Sequence, residues 1–223
     1  MIQGLLATQA RQFAREKHKE QKRKYTGEPY FAHLEEVAQL VRTFDMGEEA
    51  EVLAYLHDTV EDTNTTHAEL VEKFGLQIAM GVRALTNDVD ISLGNRKARK
   101  EMDRTRLSQT TAVVQSVKCA DLISNARDIA VHDPKFAVVY LDEMDELLKV
   151  LRQAQAGIKD FANMVCQVEQ LYLFLNKVKQ DKQEKEDAEQ NDGAVSDGQT
   201  ATNAGPTVST GSGGVCSTAG SVV

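Results

Sequence analysis

The stretch Tyr55-Leu56-His57-Asp58-Thr59-Val60-Glu61-Asp62-Thr63 gathers the groups best able to do chemistry: one imidazole and the carboxylates of Asp58, Glu61 and Asp62. On a continuing helix, residues three and four apart share a face, so the three carboxylates are expected as near neighbours. Clustered beside a histidine, they repel one another unless a cation sits among them. Two readings stay open at this point. One is a divalent metal centre; the other is a helix C-terminus ending in solvent, where acidic residues cost little. A second position of interest is Asp121, inside the apolar run Lys118-Cys119-Ala120-Asp121-Leu122-Ile123-Ser124-Asn125. An unpaired buried carboxylate is costly, so Asp121 needs a partner. Asn125 lies one helical turn later on the same face, and by themselves these residues favour a buried hydrogen-bonded pair or a helix cap.

The elements that must position these groups read as helices throughout. Leu5, Leu6, Gln9 and Phe13 recur at helical spacing within residues 3–20, and Tyr25-Thr26-Gly27-Glu28-Pro29-Tyr30 is turn chemistry. Phe31, Leu34, Val37, Leu40, Val41 and Phe44 form the apolar face of the next helix. Gly47 interrupts, and Glu48 begins the helix that ends at His57-Asp58. Thr65 or Thr66 caps a helix stopped by Gly75, and another runs from Leu76 to Leu85. The pattern lapses over Asn87–Asn95, which reads as a loop, and Arg96–Arg106 reads as a solvated helix. Amphipathic spacing resumes over Thr111–Ile129, followed by helices over Phe136–Leu151 and Ile158–Val178. No strand-like alternation of useful length occurs. The fold class expected is all-α, a compact multi-helix bundle over residues 1–182.

Residues 183–223 are expected to be a disordered, low-complexity tail. From Asp181 onward the chain has seven acidic residues against two lysines and no Leu, Ile, Phe, Met, Tyr or Trp. Such a segment cannot bury enough apolar surface to offset the entropy of ordering it. The three cysteines, Cys119, Cys166 and Cys216, are far apart and form no CxxC pair, which argues for free thiols in a reducing compartment. With no secretory signal and no apolar run near the ~20 residues of a membrane span, the expectation is a cytoplasmic protein without a membrane partner. The net charge of -8, with basic residues balanced by nearby acids, argues against double-stranded nucleic acid as a ligand.

His33, His57-Asp58 and Asp121 in this helical context resemble the metal-binding set of the HD-domain phosphohydrolase superfamily. More narrowly, three segments resemble the hydrolase domain of the RelA/SpoT alarmone family and the small alarmone hydrolases. They are Gly27-Glu28-Pro29-Tyr30-Phe31-Ala32-His33, Leu56-His57-Asp58-Thr59-Val60-Glu61-Asp62-Thr63 and Lys118-Cys119-Ala120-Asp121. Phe74-Gly75, Leu85-Thr86 and the basic run from His18 to Lys24 match further family features, and the likeness covers roughly residues 5–155. Three departures stand out: Leu34 follows His33 where the family usually has proline, Ser124 stands where it commonly has histidine, and the Asn87–Lys100 loop differs.

The resemblance implies a metal held by His33, His57, Asp58 and Asp121. Two imidazoles and two carboxylates suit Mn²⁺ or a similar first-row divalent ion with positions left for water and a phosphate oxygen. The family pattern implies that Glu61 and Asp62 orient that water or take its proton, and that Arg23 and Lys24 meet the nucleotide. Asn125, by its spacing from Asp121, and Tyr140 are further candidates for contact with ribose or phosphate. Arg96, Lys97, Arg99 and Lys100 are a second candidate cluster of cations. The activity implied is removal of the 3′-diphosphate of ppGpp or pppGpp as pyrophosphate. The rivals are a phosphatase of another nucleotide, such as NADPH or a deoxynucleotide, and a nucleotide sensor without turnover. The sequence leaves a homo-oligomeric state open.

Overall fold

A computed structural model describes residues 4–87 and 95–195, with side chains to Asp187. Ten helices occur among the described residues: α1 (Leu5–Lys17), α2 (Phe31–Thr43), α3 (Gly47–Leu56), α4 (Thr59–Asp62), α5 (His67–Phe74), α6 (Leu76–Leu85), α7 (Arg96–Ser108), α8 (Ala112–His132), α9 (Pro134–Val150) and α10 (Ala156–Val195). No strand occurs among them; an isolated bridge pairs Lys22 with Pro29 in the turn before α2. The expected all-α fold is the fold found.

Local chemistry explains the helix starts. Thr66 caps α5 by accepting the Glu69 N–H, Thr111 caps α8 by accepting that of Val114, and Asp133 caps α9 by accepting that of Phe136, with Pro134 at the first position. The start of α1 has no such side chain of its own. Its Leu6 and Ala7 N–H groups are instead accepted by Glu48 of α3 at 2.9 and 3.2 Å, which ties the two helices together.

The core is built around α3 and α8. Val52, Leu53, Ala54, Tyr55 and Leu56 are all buried, so α3 is covered on every side. One of its neighbours, α6, comes so close that a Cβ at Gly81 would stand 2.7 Å from Leu53 Cδ2. α8 buries Val114 to Val117, Cys119 to Ser124, Ala126 and Ala130, and packs against α2, α3, α6 and α9. An apolar surface of that extent fixes the height and rotation of Asp121 as firmly as a core leucine.

Two expectations need correction or delimiting. The helix through His57 does not run on: α3 stops at Leu56, Asp58 has φ -100 and ψ -2, and one further turn, α4, follows. The break lets His57 and Asp58 share one point while Glu61 and Asp62 occupy the next turn. The chain divides into two compact units, Met1–Val178 and Lys179–Val223. The expected tail boundary at 183 falls inside α10, which runs to Val195. The Lys-, Glu-, Gln- and Ala-rich composition there favours helix without apolar packing. The loop expected at 88–94 and the tail beyond 195 lie outside the described residues.

Candidate metal centre

Three separate helical elements bring the four sequence-identified ligands to one place. His33 sits in the first turn of α2, His57 and Asp58 at the α3–α4 break, and Asp121 at the middle of α8. His33 Nε2 lies 3.7 Å from Asp58 Oδ2 and 3.4 Å from Asp121 Oδ1. His57 Nε2 lies 3.0 and 3.7 Å from the same two oxygens. Single donor atoms of His33, His57 and Asp58 fall within 4.8 Å of one another, and Asp121 Oδ1 approaches the two imidazoles from α8.

The outer partners fix which ring nitrogen faces inward. His57 Nδ1 is 2.8 Å from the Ala54 carbonyl, which can only accept, so Nδ1 carries the proton. His33 Nδ1 is 2.9 Å from Ser124 Oγ, and that hydroxyl donates to Glu36 Oε2 at 2.6 Å. Ser124 therefore accepts from His33 Nδ1–H. With Nδ1 engaged outward in both rings, Nε2 is the nitrogen that faces the centre, and both Nε2 atoms are buried with no hydrogen-bond partner. Two inward-facing imidazole nitrogens beside two carboxylates are a nitrogen/oxygen donor set that fits a first-row divalent metal. The donor set fits the ion that the sequence implies.

The electrostatics say the same. Burial disfavours a charged His57, but Asp58 and Asp121 override it and raise its pKa well above the usual range. Burial also pushes against ionised Asp58; His57 outweighs it, and the carboxyl is held at about 2. For Asp121 burial is again opposed, first by Lys118 and then by the two imidazoles, and the pKa falls well below that of an ordinary carboxylate. The carboxylates keep their charge and call for a positive one between them. Each is also held from outside: Tyr30 Oη donates to Asp58 Oδ2 at 2.5 Å, Lys118 Nζ to Asp121 Oδ2 at 2.7 Å, and Asn125 Nδ2 to Asp121 Oδ1 at 2.6 Å.

Beside the centre opens a cavity of about 280 Å³ bordered by Asp58, Glu61, Asp62 and Asp121. Glu61 accepts the Asn87 N–H at 2.9 Å, and its pKa is raised, mainly by burial and further by Asp58. Asp62 accepts from Gln21 Nε2 at 2.9 Å. Asn125 and Tyr140, expected at the substrate, both line this cavity, and the phenol of Tyr140 is held protonated by burial and by Asp121.

The other two expected substrate residues, Arg23 and Lys24, are not among its lining residues. Arg23 pairs with Asp128 at 3.0 Å and reaches toward Glu36 at 4.0 Å. Lys24 Nζ stands 4.7 Å over the Tyr25 ring. The cations that do line the cavity are Lys100, Arg104 and Arg106 of α7, and Lys118. Only Lys100 belonged to a cluster considered from sequence. Lys118 could have been found by its i, i+3 spacing to Asp121; Arg104 and Arg106 give no sequence signal beyond a charged helix. Sequence reasoning also missed Tyr30, Gln21 and Glu36 as supports of the centre.

A model of the HD domain matches residues 10–152 of the chain. Among curated proteins, the guanosine-3′,5′-bis(diphosphate) 3′-pyrophosphohydrolase of Aquifex aeolicus is 37% identical over 120 residues, which is 54% of this chain and 17% of that protein. The chain thus spans about a sixth of the length of that relative. The guanosine-3′,5′-bis(diphosphate) 3′-pyrophosphohydrolase MESH1 of Danio rerio is 31% identical over 169 residues, covering 72% of this chain and 89% of the relative. Among solved structures, a metazoan ortholog of SpoT, described as hydrolysing ppGpp and acting in starvation responses, superposes with a TM-score of 0.66. It is 24% identical, covering 74% of this chain and 96% of the other, and the likeness is one of fold.

Proposed function

The chain belongs to the HD-domain family, and on that premise we propose that it is a metal-dependent (p)ppGpp 3′-pyrophosphohydrolase, releasing pyrophosphate and GDP or GTP. The observation that carries the reading is the pair of buried, unpartnered Nε2 atoms of His33 and His57 facing Asp58 and Asp121 at the edge of a cavity lined by carboxylates and cations. The relatives named for this activity support the choice of substrate.

His33, His57, Asp58 and Asp121 would hold the metal, with Mn²⁺ the ion that best suits the donor set. When bound, such an ion supplies an acidified water and neutralises charge on a phosphate oxygen. The remaining work falls to the chain. Glu61 and Asp62, one helical turn past the ligand pair, orient the attacking water and take its proton. A raised pKa suits Glu61 to that exchange, because a base closer to neutrality also gives the proton up readily. Lys118, Lys100 and Arg104 meet the phosphates, and Asn125 and Tyr140 bound the space for ribose or base. Free thiols at Cys119 and Cys166 fit a reducing cytoplasmic setting. Among the described residues no helix is long and apolar enough to cross a membrane.

The test is product identity. Purified protein with Mn²⁺ and ppGpp should yield GDP and intact pyrophosphate on anion-exchange chromatography, in preference to NADPH or deoxynucleotides in the same panel. Orthophosphate as the sole product would instead assign a phosphatase of another nucleotide, and tight ppGpp binding without product would assign a sensor.

A further inference from the structure

α10 is apolar on two faces. Ile158, Ala162, Val165 and Cys166 are buried in the fold. A second row points outward: Met164, Val168, Leu171 and Leu175 are each about half exposed, flanked by Tyr172 and Phe174 at 47% and 61%. Nowhere else among the described residues do exposed large apolar side chains follow one another so closely along one helix. Monomers rarely leave such a patch open.

The spacing of the row identifies what covers it. With half-buried Phe161 and Val178 at its ends, the row runs 161, 164, 168, 171, 175, 178, alternating steps of three and four. This is the period-3.5 seam that packs against another helix bearing the same repeat. The order of steps reads the same in both directions. A two-fold axis across the middle of the row would therefore set Phe161 against Val178 of the partner subunit, Met164 against Leu175 of the partner subunit, and Val168 against Leu171 of the partner subunit. Between Asp160 and Lys177 the only charged residue is Glu169, which lies off the seam, so no like charges oppose the pairing. Residues 196–223 offer no Leu, Ile, Phe, Met, Tyr or Trp to match the row. A seam that matches itself under a two-fold is the form an isologous dimer interface takes.

We propose that this face of α10 is a homodimer interface, with two copies packed antiparallel along Phe161–Val178. The aromatic side chains alone carry roughly 150–250 Å² each, so the half-exposed row offers on the order of 500 Å² per copy. The pair then buries roughly 1,000 Å², the lower bound for a specific interface.

The test is mass in solution. Light scattering after size-exclusion chromatography, from about 1 to about 200 μM, should show a concentration-dependent dimer of the full chain. Leu171→Asp with Leu175→Asp should give a monomer at all of these concentrations, with helicity and Mn²⁺ binding unchanged. Should that variant lose helicity, Val168→Lys on the same row serves in its place. A wild-type monomer at the highest concentration, or a dimer that survives the charged variants, overturns the proposal, as would a patch that binds lipid vesicles while the chain stays monomeric. Orientation is read by oxidation: Met164→Cys/Leu175→Cys should link into covalent dimers, whereas Met164→Cys alone should not. Efficient linking of the single variant would mean a parallel pair and overturn the antiparallel arrangement.

Discussion

Replacing Ser124 with alanine removes one hydroxyl that His33 depends on for its metal-facing lone pair. In the native arrangement His33 Nδ1–H is accepted by Ser124 Oγ at 2.9 Å, and the hydroxyl proton goes to Glu36 at 2.6 Å. Without the hydroxyl, a buried ring N–H has no acceptor, a loss of about 1–3 kcal/mol. The metal-free protein can escape that loss by changing tautomer. The proton moves to Nε2, where Asp121 Oδ1 at 3.4 Å accepts it. Metal binding must reverse the change, so the penalty falls on affinity for the ion and spares the stability of the metal-free fold. At about 1.4 kcal/mol per factor of ten, the dissociation constant should rise about 10–100-fold, the range typical when the outer partner of a metal-bound histidine is lost. The assay is calorimetric titration of metal-stripped protein with Mn²⁺, alongside thermal melts without metal. Ser124→Thr, which keeps the hydroxyl, should restore most of the affinity. If Ser124→Ala binds Mn²⁺ within about threefold of wild type, less than about 0.7 kcal/mol, the tautomer argument is wrong.

Two further substitutions separate charge from ligation. Glu61→Gln keeps an acceptor for the Asn87 N–H but removes the ionisable group, so turnover should fall about 10²–10⁴-fold with metal content unchanged. Because the folded-state pKa of Glu61 lies above its unfolded value, its favourable contribution is complete below the unfolded value and is lost as pH rises through the folded one. The metal-free Glu61→Gln protein should therefore gain melting temperature over wild type as pH rises from the ordinary glutamate range toward neutrality; a gap that closes with rising pH would contradict the sign. Lys118→Met removes a cation 2.7 Å from Asp121 that repels an incoming divalent ion. Mn²⁺ binding should tighten or hold while KM rises about 10–100-fold, the worth of one charge-assisted contact; weaker metal binding with unchanged KM would remove Lys118 from the phosphate site.

What could be read from the sequence and what could not follow a physical division. The helices were legible because their apolar residues recur at helical spacing and their ends carry capping side chains, as at Thr66, Thr111 and Asp133. The convergence of His33, His57, Asp58 and Asp121 was legible because these residues sit at fixed points on such helices, in motifs that resemble a known family. The break at His57-Asp58 was not, since nothing in Leu56-His57-Asp58-Thr59 forbids helix; the turn is set by what packs around it. Hydrogen-bond relays were hidden for a similar reason. Gln21 reaches Asp62 across 41 positions and Ser124 reaches Glu36 across 88, and neither pairing leaves a local pattern. The helix of α10 beyond 183 has no apolar pattern to announce it, although helix propensity favours its Lys-, Glu- and Gln-rich composition.

The cavity's charge explains why the cations of α7 matter. Its lining includes six carboxylates, Asp58, Glu61, Asp62, Asp103, Asp121 and Glu143, against four cations, Lys100, Arg104, Arg106 and Lys118. The formal balance is -2, which repels a phosphate. Several of these charges are also engaged locally: Arg106 with Asp103, Arg104 with Glu101, and Lys118 with Asp121. A divalent ion held by His33, His57, Asp58 and Asp121 would bring the balance to zero and compete with Lys118 for the carboxylate of Asp121. Lys118 would then be available to a phosphate oxygen of the proposed substrate. In this arrangement the metal and an anionic substrate would favour each other's binding, and linkage would make the coupling reciprocal. The acidic character of the whole chain would thereby be compatible with the proposed anionic substrate, because a bound cation would make the site more receptive to it.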